Sequence, residues 1–393
     1  MTESRRDRLN RLWSKHSAEW REPAQICSQW REASAVEPSL LAHRISGAWW
    51  ETLERLELTL FATREYEHLV IAMSAPTGKP RVTFLPLPHP SGLCVDRRRR
   101  RVYVASTRNP NQVFEYRPVS GYLERGDVAV PSTEGSPLVA VASTYYPGCT
   151  YLHDLALLGG VLHGNAVGQN AIVRFSADGS VQRVWWPKCI ERRGKPVFTR
   201  NHIQLNSIAG GASPKDTFYS ASSTAIGRLR PGHVTYPVNG RGVIFSGKTR
   251  EPICTGLTRP HSARLAAGRL WVDNSGYGEF GYVEDGRLRV VRRFGSWTRG
   301  LSIVEDVAFV GLSRIIQRFS RYAPGVDPAN ARCGVAAVSI RSGDVLGTIE
   351  WPEGNQVFAI DWIGSGQTHG FPFQARERKS PAPMALFYSF ETS

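Results

Sequence analysis

The chain has no run of about 18 apolar residues, so no membrane-spanning helix is expected. The basic N-terminus "MTESRRDRLNRLWSKHSAEW" is not followed by an apolar stretch, so no secretory signal is expected either. Cysteine is sparse: Cys27, Cys94, Cys149, Cys189, Cys254 and Cys333 are scattered and form no C-x-x-C pair. That excludes a zinc-finger spacing and argues against a disulfide frame, which leaves reduced, mostly buried thiols and a cytoplasmic location as the expectation. Also missing are a P-loop, a dinucleotide glycine fingerprint, a nucleophile elbow and H-E-x-x-H, so nucleotide hydrolysis and serine-hydrolase chemistry are poor readings.

Acidic residues are outnumbered, giving a net charge of +15 over 393 residues. The sharpest basic feature is "DRRRRRV" at 96–102, but lysine is rare, the arginines are dispersed, and this run sits where a strand-to-strand turn belongs. No zinc finger, RNA-binding signature or basic heptad helix accompanies it. The charge therefore reads as a solvated surface, and nucleic acid is not the expected partner.

Two textures divide the chain. Residues 1–55 carry apolar and aromatic residues at helical spacing broken by Pro23 and Pro38, which predicts a short helical N-terminal extension. From Leu58 onward the chain consists of short β-type runs punctuated by Gly, Pro, Asn and Asp. Six alternating strands share one form and end in small or polar residues: "LTLFAT" from 58, "VYVAST" from 102, "LHGNAV" from 162, "FYSASS" from 218, "LWVDNS" from 270 and "VAFVGLS" from 307. Five of them follow a further apolar strand, beginning near His89, His153, Gln204, His261 and Trp297. The first has no such predecessor, whereas "QVFAIDWIG" at 356–364 has no successor. Joining these two orphans closes the sheets into a ring without exposed edges. The expectation is an all-β chain, a six-bladed β-propeller over 56–365, in which 356–364 completes the blade begun by 58–87, followed by a tail over 366–393. Insertions near 118–150, 187–201, 230–258 and 320–333 read either as lids over one mouth or as rim decoration.

In a propeller the first strand of each blade lines the channel, so the residues that begin those strands gather round one axis. Taken blade by blade these are His89, His153, Gln204, His261, Trp297 and Gln356, with Ser91, Leu155, Asn206, Ala263, Arg299 and Phe358 two positions on. Three histidines on separate blades could share acid/base work, could remain neutral and hydrogen-bonded, or could hold Zn, Fe or Mn. Asp154 reads as a structural hydrogen-bond partner, His163 and Asn165 as groups behind the channel, His202 as a residue of the mouth, and Arg264 with Asp273 as an ion pair within one blade. Most of the eleven tryptophans read as packing, Trp297 beside Arg299 being the best ligand-facing candidate.

The segments "HDLAL", "QLNSIA", "PHSARLAAGRLWVDNSGYGEFGYV", "TRGLSIVEDVAFVGLS" and "CGVAAVSIRSGDVLG", in this order, resemble a bacterial family of uncharacterised β-propeller proteins that carry a domain of unknown function and are sometimes joined to tetratricopeptide repeats. The resemblance implies the fold over about 56–365 and attaches no general activity. One departure stands out: the family's His-Leu-Asn-Gly appears here as Gln204-Leu205-Asn206-Ser207. A carboxamide is a poor metal ligand, which counts against a four-histidine iron centre.

The functional expectation is a small-molecule enzyme that performs a non-redox cyclisation, isomerisation or elimination at the polar ring. His153 and His261 would serve as acid and base and Arg299 would hold an anionic or carbonyl group, while His89, Gln204, Asn206, Trp297 and Gln356 would contact substrate. A metal on His89, His153 and His261 stays open as a cofactor. The alternative is a non-catalytic binding or scaffold propeller, docking a protein partner or a second copy through its helical N-terminus.

Overall fold

A computed structural model describes residues 36–107, 111–122, 135–146, 148–176, 178–233, 235–315, 317–374 and 390–392, with isolated positions before residue 12. Antiparallel sheets arranged as six blades account for the β texture. Blade 1 runs from its inner strand Pro90–Asp96 outward to Leu138–Tyr146, and blade 2 from Leu152–Leu158 to Val181–Trp185. Blade 3 runs from Leu205–Ala209 to Pro252–Leu257, blade 4 from Pro260–Ala266 to Arg287–Arg293, and blade 5 from Trp297–Val304 to Val345–Glu350. Blade 6 is the composite one: its inner strand Ala359–Gly364 comes from the far end of the chain and pairs with Leu58–Arg64 in the register Leu58 to Gly364 and Thr63 to Ala359. The expected closure is therefore the observed one.

Apolar residues of the alternating strands fill the spaces between blades. Separate cores lie between each neighbouring pair; Trp271 and Phe280 of blade 4, for example, pack on Leu301, Ala308 and Val310 of blade 5, and Leu60 and Ile71 of blade 6 on Val307 and Phe309 of blade 5. Crowding at the axis is severe enough to require glycine at position 92, where a Cβ would stand 2.8 Å from Asp154 Cα.

The polar ends of the second strands now have a physical role. Thr63 donates to the Ser91 carbonyl (2.7 Å), Asn165 to Leu205 (3.0 Å), Ser275 to Thr298 (2.6 Å) and Ser313 to Val357 (3.1 Å). Ser91 itself donates to Leu152 (2.9 Å), and Asn206 to Pro260 (2.8 Å). Every blade junction is thus clasped by a side chain that satisfies a buried carbonyl of the next inner strand, where an unsatisfied group would cost about 1–3 kcal/mol.

Before the first blade, the helix Trp49–Arg55 buries Trp49 against Phe309, ring to ring at 6.0 Å, and the strand Arg44–Gly47 covers the outer edge of blade 5. The segment read as helical is therefore part strand where it is described; residues 12–35, with most of that expectation, lie outside the described residues. Phe373–Gln374 similarly pairs with the outer strand of blade 6. The five described cysteines are free, with Cys94, Cys254 and Cys333 buried, Cys189 intermediate and Cys149 exposed. No described helix is long and apolar enough to cross a membrane.

Candidate functional site at the entry mouth

The inner strands all start at one mouth, and their backbone sorts the candidate residues into two tiers. His89, Tyr151, Gln204 and Arg259 adopt left-handed backbone (φ 42°, 56°, 49° and 53°) immediately before strands 1 to 4. Non-glycine residues take up that conformation at a cost of roughly 1–2 kcal/mol. The clasped carbonyls of Leu152, Leu205, Pro260, Thr298 and Val357 give the same phase in blades 2 to 6. The outer tier is therefore His89, Tyr151, Gln204, Arg259, Trp297 and Gln356. The inner tier, two residues on, is Ser91, His153, Asn206, His261, Arg299 and Phe358.

Blade starts counted along the sequence had put His153 and His261 in register with His89, Gln204, Trp297 and Gln356. The structure instead brings His153 and His261 together with Arg299 and leaves the other four one tier out. Tyr151 and Arg259 complete the outer tier, and sequence reading had passed over both. The triplets H-P-S, Y-L-H, Q-L-N, R-P-H, W-T-R and Q-V-F, aligned on their central residue, carry the signal that would have found them.

His261 is buried, and its Nδ1 lies 2.9 Å from the Arg259 carbonyl and 3.1 Å from Ser275 Oγ. Because the Ser275 hydroxyl donates to Thr298, Nδ1 must carry the proton, which leaves the Nε2 lone pair as a base. Burial, then the nearby Arg299 and His153, hold the imidazole well below its ordinary pKa, so it is neutral at physiological pH. The His153 ring lies 5.0 Å from Tyr151 and stands edge-on to Phe358 at 5.4 Å.

Arg299 is 8% exposed, with its guanidinium carbon 3.4 Å from the centre of the Phe358 ring. Among the described residues no carboxylate or carbonyl accepts a hydrogen bond from it. Burial lowers its pKa to about 10, countered in part by Glu65, Tyr66, Tyr151 and Asp154, so it stays charged. The stacking on an aromatic face contributes a cation–π term and leaves the N–H fork available.

Other candidates have structural occupations. Asn206 donates to Ser222 and Pro260, and its Oδ1 is buried without a donor. Gln204 accepts from Arg259, which also donates to the Pro231 carbonyl and lies 3.9 Å under the Tyr322 ring. Burial lowers the Arg259 pKa to about 10. Trp297 is 6.0 Å from His261 and packs into a cluster with Val238, Tyr322, Ala323 and Val326. Two of the expected insertions therefore meet over this mouth. Trp297 Nε1 and Gln356 Oε1 are buried with no hydrogen-bond partner among the described residues.

The metal reading does not fit these donors. His89 faces His68, ring to ring at 4.3 Å, in the outer tier, and among the described residues no group of three or more His, Cys, Asp or Glu is arranged to hold an ion. Asp154, His163 and Asn165 behave as structural groups: Asn165 Oδ1 accepts the backbone N–H groups of His153 and Asp154, and the buried His163 donates from Nδ1 to the carbonyl of Val161 in its own strand at 2.8 Å. His202 is half-buried before blade 3, where its backbone N–H donates to Asn170. The expected pair of Arg264 with Asp273 is not formed. Arg264 reaches across blade 3 to Asp154 at 2.8 and 3.1 Å, because Asp154 also collects the Ile208 N–H and so sits where a fork can bridge.

The fold and its two-tiered mouth define a six-bladed β-propeller with a polar ring at one mouth. The chain belongs to the family described as a domain of unknown function, DUF4915, which matches residues 47–369. Among solved structures it is similar to a chain of the nidogen/laminin complex (10% identity, TM-score 0.50, covering 78% of this chain and 97% of that one). It is also similar to a protein of unknown function from Bacteroides caccae (11%, TM-score 0.47, 78% and 99%) and to a gluconolactonase from Xanthomonas campestris (14%, TM-score 0.43, 76% and 86%). These likenesses are of fold. No protein of curated function matches.

Proposed function

We propose that the entry mouth binds a small anionic or carbonyl-bearing molecule and catalyses a non-redox proton-transfer reaction, such as an isomerisation, elimination or cyclisation. The observation that carries this reading is Arg299, a nine-tenths buried guanidinium with no acceptor among the described residues, beside a neutral His261. A buried cation costs several kcal/mol unless it is paired, so a site that keeps one is suited to an oxygen anion from outside. In this reading Arg299 holds a carboxylate or developing enolate oxygen, and His261 Nε2 takes a proton from the adjacent carbon or hydroxyl. His153 returns the proton on the other side. Trp297, with its unengaged indole N–H, and the Tyr322 segment shield the ligand from water.

A thermal-shift screen of small carboxylates and keto acids, followed by turnover assays on the hits, tests the reading. Arg299→Ala should weaken binding of a hit by about 1.5–3 kcal/mol, the worth of a charged hydrogen bond. His261→Ala should keep most binding and lower turnover by roughly two to four orders of magnitude. Hits that bind Arg299→Ala as tightly as the wild type would reject the site. Binding without turnover in the wild type would leave a binding protein in place of an enzyme.

A further inference from the structure

The inner strands end at the opposite mouth, and there all six of them line a cavity of about 390 Å³. Its walls are apolar, with Leu93, Leu155, Ile208 and Ile303 inside and Leu265, 40% exposed, at the rim. Arg264, which pairs with Asp154 at 2.8 Å, lines the cavity. The charged groups of the cavity are unequally engaged. Arg264 is consumed by Asp154, but Arg97 gives only Nη2 to Asp361 and rests 4.2 Å over the Trp362 ring. Among the described residues the buried Arg97 Nε has no hydrogen-bond partner and Nη1 has no acceptor. Arg97 begins the arginine turn 97–100, in which Arg97 and Arg99 pair with Asp361 and Asp96 whereas Arg98 and Arg100 form no ion pair among the described residues. The acidic turn of blade 5, Glu305 and Asp306, is engaged by Arg55 at 3.6 and 3.4 Å.

We propose that this exit mouth is a second ligand site that takes an amphipathic monocarboxylate, its chain among the apolar walls and its head group on Arg97. The volume falls within the range of small-molecule pockets, about 300–1,000 Å³. Nη1 of Arg97 is left to donate to a carboxylate's oxygens, and the uncompensated Arg98 and Arg100 favour an anion over a neutral or cationic head. This site does not depend on the function proposed for the entry mouth.

Calorimetric titration with octanoate, octanol and acetate tests it. Octanoate should bind at least roughly tenfold more tightly than either octanol, which lacks the charge, or acetate, which lacks the chain. Arg97→Gln should lose this preference. Because that change strands Asp361, the neutral double variant Arg97→Gln/Asp361→Asn is titrated beside it, with a thermal melt of each, and should show the same loss. Arg299→Ala should bind octanoate as the wild type does. No octanoate binding, equal binding of octanol, or binding abolished by Arg299→Ala and kept by the double variant would each overturn the proposal.

Discussion

Arg264 and Asp154, 110 residues apart in sequence, form a two-point ion pair at 2.8 and 3.1 Å between blades 4 and 2. Asp154 is 3% exposed and also accepts the backbone N–H of Ile208 and of its neighbour Leu155. One pair therefore ties blades 2, 3 and 4 together.

Removing one member of this pair should leave a buried charge without its counterion. Arg264→Met or Asp154→Asn alone should destabilise the fold by about 3–5 kcal/mol, while the double variant should cost much less than the sum. Chemical denaturation of the three variants checks this. Additive losses would mean that the two groups are stabilised independently.

Asp273 is fully buried behind the inner strand of blade 4, and among the described residues neither carboxylate oxygen has a well-formed hydrogen bond. Burial raises its pKa well above the ordinary value, although Ser262 and then Arg264 pull the other way. A carboxyl whose folded pKa exceeds its unfolded one contributes stability in full below the unfolded pKa, about 3.9, and loses it as pH rises through the folded value. Asp273→Asn should therefore gain stability relative to the wild type as the pH is raised from about 4 to 8. Denaturation midpoints measured across that range test the sign; a difference that is flat or falls with pH would show that Asp273 is ionised in the folded protein.

Ring closure depends on Ala359–Gly364, which supplies the inner strand of blade 6 and covers Leu58–Arg64, a strand buried at every position. A chain ending at residue 354 should expose that strand's whole edge and lose the core shared with blades 5 and 1. Aggregation, or loss of a cooperative melt, is the expected result. A monomeric truncation with an unchanged melt would show that the ring is stable while open.

The number of blades and the closure of the ring by the two orphan strands were both legible in the sequence, since they rest on local alternation and turn residues. His153, His261 and Arg299 could likewise be named from strand starts. Their common tier could not. A shift of two residues keeps the same face of a strand, so periodicity does not distinguish His89 from Ser91 as the counterpart of His261. The left-handed residue before strands 1 to 4 and the carbonyl clasped by the neighbouring blade in blades 2 to 6 decide it, and neither leaves a hydrophobic pattern. Arg264 shows the same limit. Sequence proximity suggested Asp273, 9 positions away, whereas the folded ring brings Asp154 within bonding distance and gives it the backbone N–H that fixes its orientation. Local composition determined the blades; the partners of the buried charges were decided by closure of the ring, because only tertiary packing sets which side chains share a desolvated space.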